Sequence, residues 1–282
     1  MKQNRIPAAI RRALIATLLI GWTLPAVGEP ADCPRIVSQS PYITHSLEWL
    51  GLGDCIVGVS RYDERDLPKT GGVMDPDLEA IALLDPELLL TSDWTDAKKW
   101  RAAAPPGAQA LRLQGFGSVA EIENNLRRIG EAAGLEAGEE RARAFAQRWR
   151  KSAEQLRGHG EALVVSACGG VPYSFGRRTY IYDLFATSGF QMVETHENIR
   201  HLKAGEKYRS LDALVAAFEP DWLFVLTRRD DKQCAALQPR RGVGVVGLDS
   251  ELFSHPAPTL LKGLEQLVDK RERWMKKSGE RR

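Results

Sequence analysis

The chain has 282 residues, of which 43% are hydrophobic and 27% are charged, and its formal net charge at pH 7 is +2. This apolar content is sufficient for two hydrophobic cores of ordinary size. The first 28 residues contain four basic and no acidic residues, so without them the charge of +2 becomes −2. A nearly neutral, slightly acidic body argues against nucleic acid as the main partner.

The start of the chain has the three parts of an export signal. A basic segment precedes an apolar run over residues 13–22, and Ala26-Val27-Gly28 has the small residues of a cleavage site. The apolar run is short for a bilayer span. We therefore predict that residues 1–28 are a signal peptide and that the protein is periplasmic, with an uncleaved anchor as the alternative.

Four cysteines in an exported chain indicate two disulfides, for which three pairings are open. Cys33 and Cys55 each precede a predicted strand, and a bridge between them is sterically reasonable if those strands are parallel neighbours. Such a bridge would contribute about 3 kcal/mol of stability. Cys168 and Cys234 then form the second pair by elimination.

Short apolar strands alternate with helical patterns along most of the chain. This alternation predicts mostly parallel sheets that are covered on both faces by helices. The predicted strands are residues 36–38, 56–59, 87–91, 110–113, 162–167, 222–226 and 243–246, and the predicted helices are residues 44–50, 77–84, 94–103, 180–188, 211–218 and 258–270.

A proline-free stretch over residues 118–157 separates the two alternating regions. Ser118 followed by Glu121 is a capping box that opens one helix. A second helix over residues 139–157 would be roughly 28 Å long and carries apolar residues on one stripe. We predict an α/β fold of two Rossmann-like lobes with mostly parallel sheets joined by one long α-helix: residues 29–136 form the N-terminal lobe, 137–158 the bridging helix and 159–282 the C-terminal lobe.

A short pattern occurs once in each half. A helix with an acidic residue in its first turn ends at a proline between two acids, and a buried strand follows, over residues 78–90 and 211–225. The repetition favours two related lobes.

Several segments resemble one known family. They are Arg35-Ile36-Val37-Ser38-Gln39-Ser40-Pro41, the run Leu50-Gly51-Leu52-Gly53-Asp54, and Gly71-Gly72-Val73 with Asp75-Pro76-Asp77-Leu78-Glu79-Ala80-Ile81. The sequence is similar here to periplasmic binding proteins of the helical-backbone class, which serve ATP-binding-cassette (ABC) importers of vitamin B12, iron-siderophores and haem. The resemblance implies a monomeric, non-enzymatic receptor without a cofactor, whose partners are a metal-chelate or corrinoid ligand and an importer permease dimer in the inner membrane.

A ligand of such a protein would lie between the lobes, at the carboxyl ends of the strands. Aromatic side chains there can cover a flat ring, and guanidinium groups can bind carboxylates or phenolates. By the resemblance, Tyr62 and Tyr173 match positions that line the cleft. An arginine-rich cleft suits an anionic chelate better than near-neutral cobalamin. The predicted ligand-binding residues are Tyr42, Arg61, Tyr62, Trp94, Tyr173, Arg177, Tyr208 and Arg228.

The resemblance also assigns one acidic residue in each lobe to permease docking. Glu79 and Asp212 correspond to carboxylates that meet arginine pockets on the permease. The alternative is that each acid only complements its helix dipole, which contributes roughly 0.3–1 kcal/mol.

Three alternative functions follow from weaker signals. An α/β enzyme or a ligand sensor could use the same two-lobed scaffold, although the chain has no G-x-S-x-G, H-E-x-x-H or Walker sequence. Gly242-x-Gly244-x-x-Gly247 spells the dinucleotide fingerprint but falls on a predicted strand. His196 and His201, with His45, would make the protein a receptor for a free metal ion.

Overall fold

The structure is a computed structural model that describes residues 33–228 and 234–279. The predicted signal peptide lies outside these residues. Within the described ranges, no helix combines the length and the apolar character that a bilayer span requires.

The N-terminal half forms a four-stranded parallel sheet in the order β2-β1-β3-β4. Buried Val, Ile and Leu residues form its central strands, as expected for a parallel sheet covered on both faces. The helices between the strands satisfy the predicted alternation. The elements are β1 Ile36–Ser38, α1 Pro41–Trp49, β2 Ile56–Val59, α2 Leu78–Leu83, β3 Leu88–Ser92, α3 Ala97–Ala103 and β4 Gln109–Leu113.

Two helices without any strand between them follow this sheet. They are α4 Val119–Ala132, whose N-cap is Ser118, and the unbroken 19-residue helix α5 Gly138–Leu156. Gly134 ends α4 in the left-handed region with φ of 64°. A Cβ at Gly130 would lie 2.9 Å from the Gly138 Cα, so the two helices can meet this closely only at glycine. The predicted long helix is confirmed.

The C-terminal half forms a second sheet in the order β10-β9-β5-β6-β8, with β7 also paired to β5. Strands β5, β7, β9 and β10 are parallel, whereas β6 and β8 are antiparallel. The sequence did not predict β6, β7 and β8, because two residues are too few for a periodic pattern. The elements are β5 Glu161–Ser166, β6 Tyr173–Ser174, α6 Tyr180–Thr187, β7 Gln191–Met192, β8 Arg200–His201, α7 Leu211–Phe218, β9 Trp222–Thr227, β10 Gly244–Asp249 and α8 Leu260–Gly279.

The two sheets are separate, which confirms the predicted α/β class with a long helix between two lobes. Their cores are not separate. One continuous core cluster contains buried residues of both sheets together with α1, α4, α5, α6 and α8, and two smaller clusters cover the other face of each sheet. The two lobes share this cluster because the apolar stripe of α5 packs into both of them.

The repeated helix–proline–strand pattern has the same local geometry in both lobes. Asp85 follows α2 with φ of 43°, and Glu219 follows α7 with φ of 45°. Each of these left-handed residues precedes a proline, which cannot continue the helix, and the chain then enters a buried strand. The recurrence supports the interpretation of two related lobes.

Both predicted disulfides are present. Cys33 and Cys55 have Cα atoms 6.0 Å apart at the starts of the neighbouring parallel strands β1 and β2. Cys168 and Cys234 have Cα atoms 5.2 Å apart and connect the segment after β5 to the segment after β9. The second bridge closes a loop of 66 residues against 22 for the first, so it constrains the unfolded chain more strongly.

A buried carboxylate joins α4 to α5. Glu123 accepts a hydrogen bond from Trp149 Nε1 at 2.5 Å and two from the Arg150 guanidinium at 2.7 and 2.9 Å. The Glu123 side chain is 11% exposed, so these donors replace water as its partners. The contact fixes the orientation of the two helices along the seam between the lobes.

We expect Glu123→Gln to lower the free energy of unfolding by about 1–3 kcal/mol, because the charged acceptor for two donors is lost from a buried site. Chemical denaturation checks this. Glu131→Gln, an exposed position on the same helix, is the matched control. Equal stability of the two variants would contradict the assigned role of Glu123.

Two histidines meet where α1 faces the segment before α8. The ring centroids of His45 and His255 are 5.6 Å apart. Burial, and then the proximity of His45, lower the pKa of His255 below its ordinary value of 6.5, while Asp63 and Glu64 oppose the shift only in part. His45 itself lies 3.3 Å from Glu48. The neutral form of His255 therefore fits this junction.

Because the folded-state pKa of His255 is lowered, its contribution to stability is present above about pH 6.5 and is lost as pH falls through the folded-state value. We expect the free energy of unfolding to decrease over this window in the wild type and to decrease less in His255→Asn. His196→Asn, at an exposed loop position, should retain the wild-type slope. Parallel pH profiles for wild type and His255→Asn would refute the prediction.

Candidate ligand-binding site

The loops at the carboxyl edges of the two sheets form concave surfaces. All four strands of the first sheet are parallel, so the loops after them emerge at one edge. The parallel strands β5, β9 and β10 place their following loops together in the same way. Two cavities lie at these edges.

The first cavity, which we call the Trp94 cavity, has a volume of about 580 Å³. Its first-lobe wall contains Trp94 after β3 and Phe116 after β4, and its second-lobe wall contains Arg177 and Arg178 before α6. The start of α4 completes the lining. Both lobes therefore contribute to one cavity of the size that bound small molecules occupy.

Trp94 is exposed, and its ring and backbone are both held by neighbouring residues. The indole is 56% exposed and stacks on Phe116 with centroids 4.5 Å apart and planes at 19°. Its neighbour Thr95 is buried and bonds through its hydroxyl to Thr91 at 2.6 Å and to the Val73 carbonyl at 2.7 Å. The structure thus confines the backbone of Trp94 while leaving its ring accessible, which suits the predicted ligand contact.

Arg177 and Arg178 are held through their backbone and exposed through their side chains. The Arg177 N–H donates to the His196 carbonyl at 2.9 Å, and the Arg178 N–H donates to the Glu197 carbonyl at 2.7 Å. Thr179 then caps α6. Among residues 33–228 and 234–279, no acceptor pairs with either guanidinium.

The second cavity, which we call the Arg228 cavity, lies at the carboxyl ends of β5, β9 and β10 and has a volume of about 500 Å³. The predicted residues Tyr173 and Arg228 line it together with Ser166, Ser250 and Glu251. Cys168 lines it too, so the second disulfide supports its wall. The lining is mainly polar.

A buried ion pair positions the strand that carries Tyr173. Glu194 accepts from Arg200 at 2.7 Å and from the neighbouring Ser174 hydroxyl. Burial alone would raise the pKa of the Glu194 carboxyl, but these hydrogen bonds and that from the His196 N–H lower it below its ordinary value. The carboxylate is therefore charged, and it connects β6 to β8.

Arg61 and Tyr62 lie on the loop after β2 and outside the linings of both cavities. Arg61 bonds to the Asp75 carboxylate at 2.5 Å, and its guanidinium lies 5.9 Å from the centroid of the Tyr62 ring. Tyr62 is 65% exposed. The guanidinium group and the aromatic ring therefore lie at the rim of the first sheet. Ligand binding by Arg61 and Tyr62 stays a prediction.

The structure does not bring Tyr42 to the site. The ring is 2% exposed, donates from its hydroxyl to the Leu113 carbonyl at 3.2 Å, and packs edge-on against Phe116 at 5.4 Å. Burial raises the pKa of the Tyr42 phenol well above its usual range. Tyr42 is therefore a support beneath Phe116 rather than a ligand contact, because α1 turns its first-turn side chain into the core.

Tyr208 is also placed differently from the prediction. Its ring packs against Phe218 of α7 at 5.6 Å, and Arg200 and Lys207 lie over it at 5.1 and 5.2 Å. It lines neither the Trp94 cavity nor the Arg228 cavity. The reason is that Tyr208 joins the outer core cluster of the second sheet.

Phe116 is a site residue that the sequence reasoning missed. Its ring stacks on the Trp94 indole. Its backbone carbonyl accepts a hydrogen bond from the Tyr180 N–H of the second lobe at 2.8 Å. A usable signal was present, because Phe116 lies between glycines directly after a predicted strand. Loops at that position are where ligand contacts concentrate.

The histidines do not form a metal site. His196 bonds within its own loop to the Asn198 carbonyl at 3.0 Å, His201 lies beside Tyr173, and His45 contacts His255. Within the described ranges, no three His, Cys, Asp or Glu side chains are grouped closely enough to hold a metal ion. The alternative of a free metal-ion receptor therefore has no geometric support.

Glu79 and Asp212 occupy the same position in equivalent helices. Each lies in the first turn, after an N-cap residue whose side chain accepts from the backbone N–H of the third helical residue. Glu79 is exposed, and the Asp212 side chain is 84% exposed although it bonds to Arg240 at 3.0 Å. Both carboxylates are accessible to a partner.

Known proteins resemble the chain over most of its length. A vitamin B12-binding protein of Vibrio cholerae is 27% identical over 193 residues, which are 56% of this chain and 67% of that protein. The crystal structure of the V. cholerae periplasmic vitamin B12-binding protein BtuF has a TM-score of 0.65 at 18% identity and covers 85% of this chain and 97% of that one. A periplasmic haem-binding protein from Pseudomonas aeruginosa has a TM-score of 0.64 at 22% identity and covers 83% of this chain and 91% of that one.

At these identities the two structures establish the fold, and the family follows from the sequence. The sequence model of the periplasmic binding protein family matches residues 36–241, which include the first sheet, the long helix α5 and every strand of the second sheet except β10. The chain belongs to the periplasmic binding protein family, and it is a binding protein rather than an enzyme.

Proposed function

We propose that the protein is the solute receptor of an ABC importer and that it carries a metal chelate or corrinoid, namely an iron-siderophore, cobalamin or haem. Family membership implies an extracytoplasmic location. The observation that carries the receptor role is the Trp94 cavity, because both lobes line it and its volume of about 580 Å³ lies in the range of small-molecule pockets. Similarity to a vitamin B12-binding protein supports the proposed ligand class.

The aromatic and cationic side chains support this proposal chemically. Trp94 offers a flat apolar surface, and Arg177 and Arg228 offer donors for anionic oxygens. We assign ligand binding to these three residues and to Tyr173, with Arg61 and Tyr62 at the rim.

We expect the protein isolated from its native host to carry a coloured ligand, because cobalamin, ferric catecholates and haem absorb visible light. An absorption spectrum of the freshly purified protein is the measurement. Each of the three compounds should then be added to ligand-stripped protein while its melting temperature is recorded. A colourless protein whose melting temperature none of them raises would remove the proposed ligand class.

We further propose that Glu79 and Asp212 dock the two lobes onto the permease. The two helices are equivalent, and each places an accessible carboxylate at its first turn. Exposed apolar side chains accompany Glu79 on α2, where Leu83 is 82% exposed. Removing one partner of a buried interfacial charge pair costs about 2–5 kcal/mol.

The docking residues can be tested with a photo-crosslinker at Leu83, one helical turn from Glu79. In the native host it should capture a multi-spanning permease, and Glu79→Arg should reduce that crosslink by roughly 30-fold. Ligand binding should not change. Glu136→Arg, an exposed acid in the loop between α4 and α5, is the control. A crosslink that survives Glu79→Arg would exclude docking through this carboxylate.

A further inference from the structure

The two carboxylates that we propose for docking differ in their surroundings. No Lys or Arg occurs between Lys69 and Lys98, the segment that contains α2 and Glu79. In the part of the chain that the structure describes, no cationic side chain forms an ion pair with Glu79. Asp212, at the equivalent position of α7, accepts a hydrogen bond from the Arg240 guanidinium at 3.0 Å. The carboxylate of the second lobe is therefore already paired within the chain.

Arg240 is held in this position by more than its ion-pair partner. Its Nη1 donates to the Ala236 carbonyl at 2.9 Å and to the Gln238 carbonyl at 3.3 Å, while Nη2 donates to Asp212. A guanidinium can serve several acceptors at once because its donors form a rigid fork. The Arg240 side chain is only 18% exposed, whereas that of Asp212 is 84% exposed. A fixed and shielded cation thus lies beside an exposed carboxylate.

The segment that carries Arg240 is itself anchored to the second lobe. Cys234, at the start of this segment, is bonded through the second disulfide to the segment after β5. Ala236 is buried and belongs to the core cluster that also contains the buried residues of α7. Packing and a covalent bond therefore keep Arg240 beside α7, whether or not Asp212 is engaged by a partner.

We infer that Arg240 is an internal competitor for Asp212, which weakens the docking of the second lobe and leaves Glu79 as the stronger of the two contacts. A cationic site on the permease approaches Asp212 against the charge of Arg240, and like charges that meet at an interface cost binding energy. Glu79 has no such internal partner among the described residues. This inference rests on the proposed function, and it adds to it the regulation of one docking contact.

The test places a photo-crosslinker at Ala216, an exposed residue of α7 one helical turn after Asp212. In the native host, Arg240→Gln should raise the yield of the permease crosslink by about 3–10-fold, because the carboxylate is released for the partner. Arg240→Met, which removes the charge and keeps the length of the side chain, should give the same increase. The melting temperature of each purified variant is measured beside the wild type, so that a loss of folding is recognised.

Two further variants assign the increase to the ion pair. Arg241→Gln removes the same charge from an exposed neighbour and should leave the yield unchanged. Adding Asp212→Asn to Arg240→Gln should cancel the increase, because the released carboxylate is then absent. With the crosslinker at Leu83 instead, Arg240→Gln should have no effect, since that position reports on the first lobe.

The inequality of the two lobes has its own measurement. Glu79→Gln should lower the crosslink from Leu83 by about 10-fold, because an unpaired charged contact is lost. Asp212→Asn in the otherwise native chain should lower the crosslink from Ala216 by less than about 3-fold. Equal losses at the two positions would contradict the inferred difference.

The outcomes separate this inference from the proposed function. An unchanged or lower yield in folded Arg240→Gln and Arg240→Met would overturn the inference, and so would an equal increase in Arg241→Gln. A permease crosslink from Leu83 with none from Ala216 in any variant would also overturn it, while docking through Glu79 would stand. Failure of both positions to capture a permease would overturn the inference together with the proposed docking.

Discussion

The burial of the apolar stripe of α5 is the constraint on which the rest of the structure depends. This helix packs against α4 and α8, and its Phe145, Trp149 and Leu156 belong to the core cluster that contains residues of both sheets. Separating the lobes would expose these apolar side chains to water. The free-energy cost would be about 25 cal/mol for each Å² of apolar surface exposed. The Glu123 carboxylate adds polar contacts that hold the two central helices in one orientation. The lobes are therefore parts of one packed body rather than two domains on a linker.

The shared core determines how the site is built. Two hydrogen bonds pass between the lobes beside the Trp94 cavity: the Val119 N–H donates to the Asp183 carboxylate, and the Tyr180 N–H donates to the Phe116 carbonyl. The starts of α4 and α6 are thus bonded to each other across the junction. Because these contacts lie next to the cavity, its walls have a defined separation before any ligand enters. Preorganisation of this kind reduces the entropy lost on binding.

The same junction explains the division of chemistry between the walls. In the first lobe, the ring of Phe116 packs edge-on against buried Tyr42 and stacks on the exposed ring of Trp94. In the second lobe, the backbone N–H groups of Arg177 and Arg178 donate to the carbonyls of residues 196 and 197. The backbone before α6 is therefore fixed, and the two side chains are exposed. The aromatic surface and the two guanidinium groups thus come from opposite lobes, and the lining also contains the carboxylates of Asp93, Glu121 and Asp183.

Local sequence patterns were enough to predict the alternation of strands and helices, the proline-free helix α5 and the repeated helix–proline–strand unit. The disulfide pairing also required that strands β1 and β2 be parallel neighbours, which only the fold establishes. Periodicity, caps and prolines act over a few residues, so they can be read without knowledge of the fold. Only the tertiary structure decided that Tyr42 is buried, that Tyr208 packs outside both cavities and that Phe116 lies under Trp94. Those placements depend on which distant elements pack together. The packing of distant elements sets the direction of a loop side chain. A local sequence pattern contains no information about that packing.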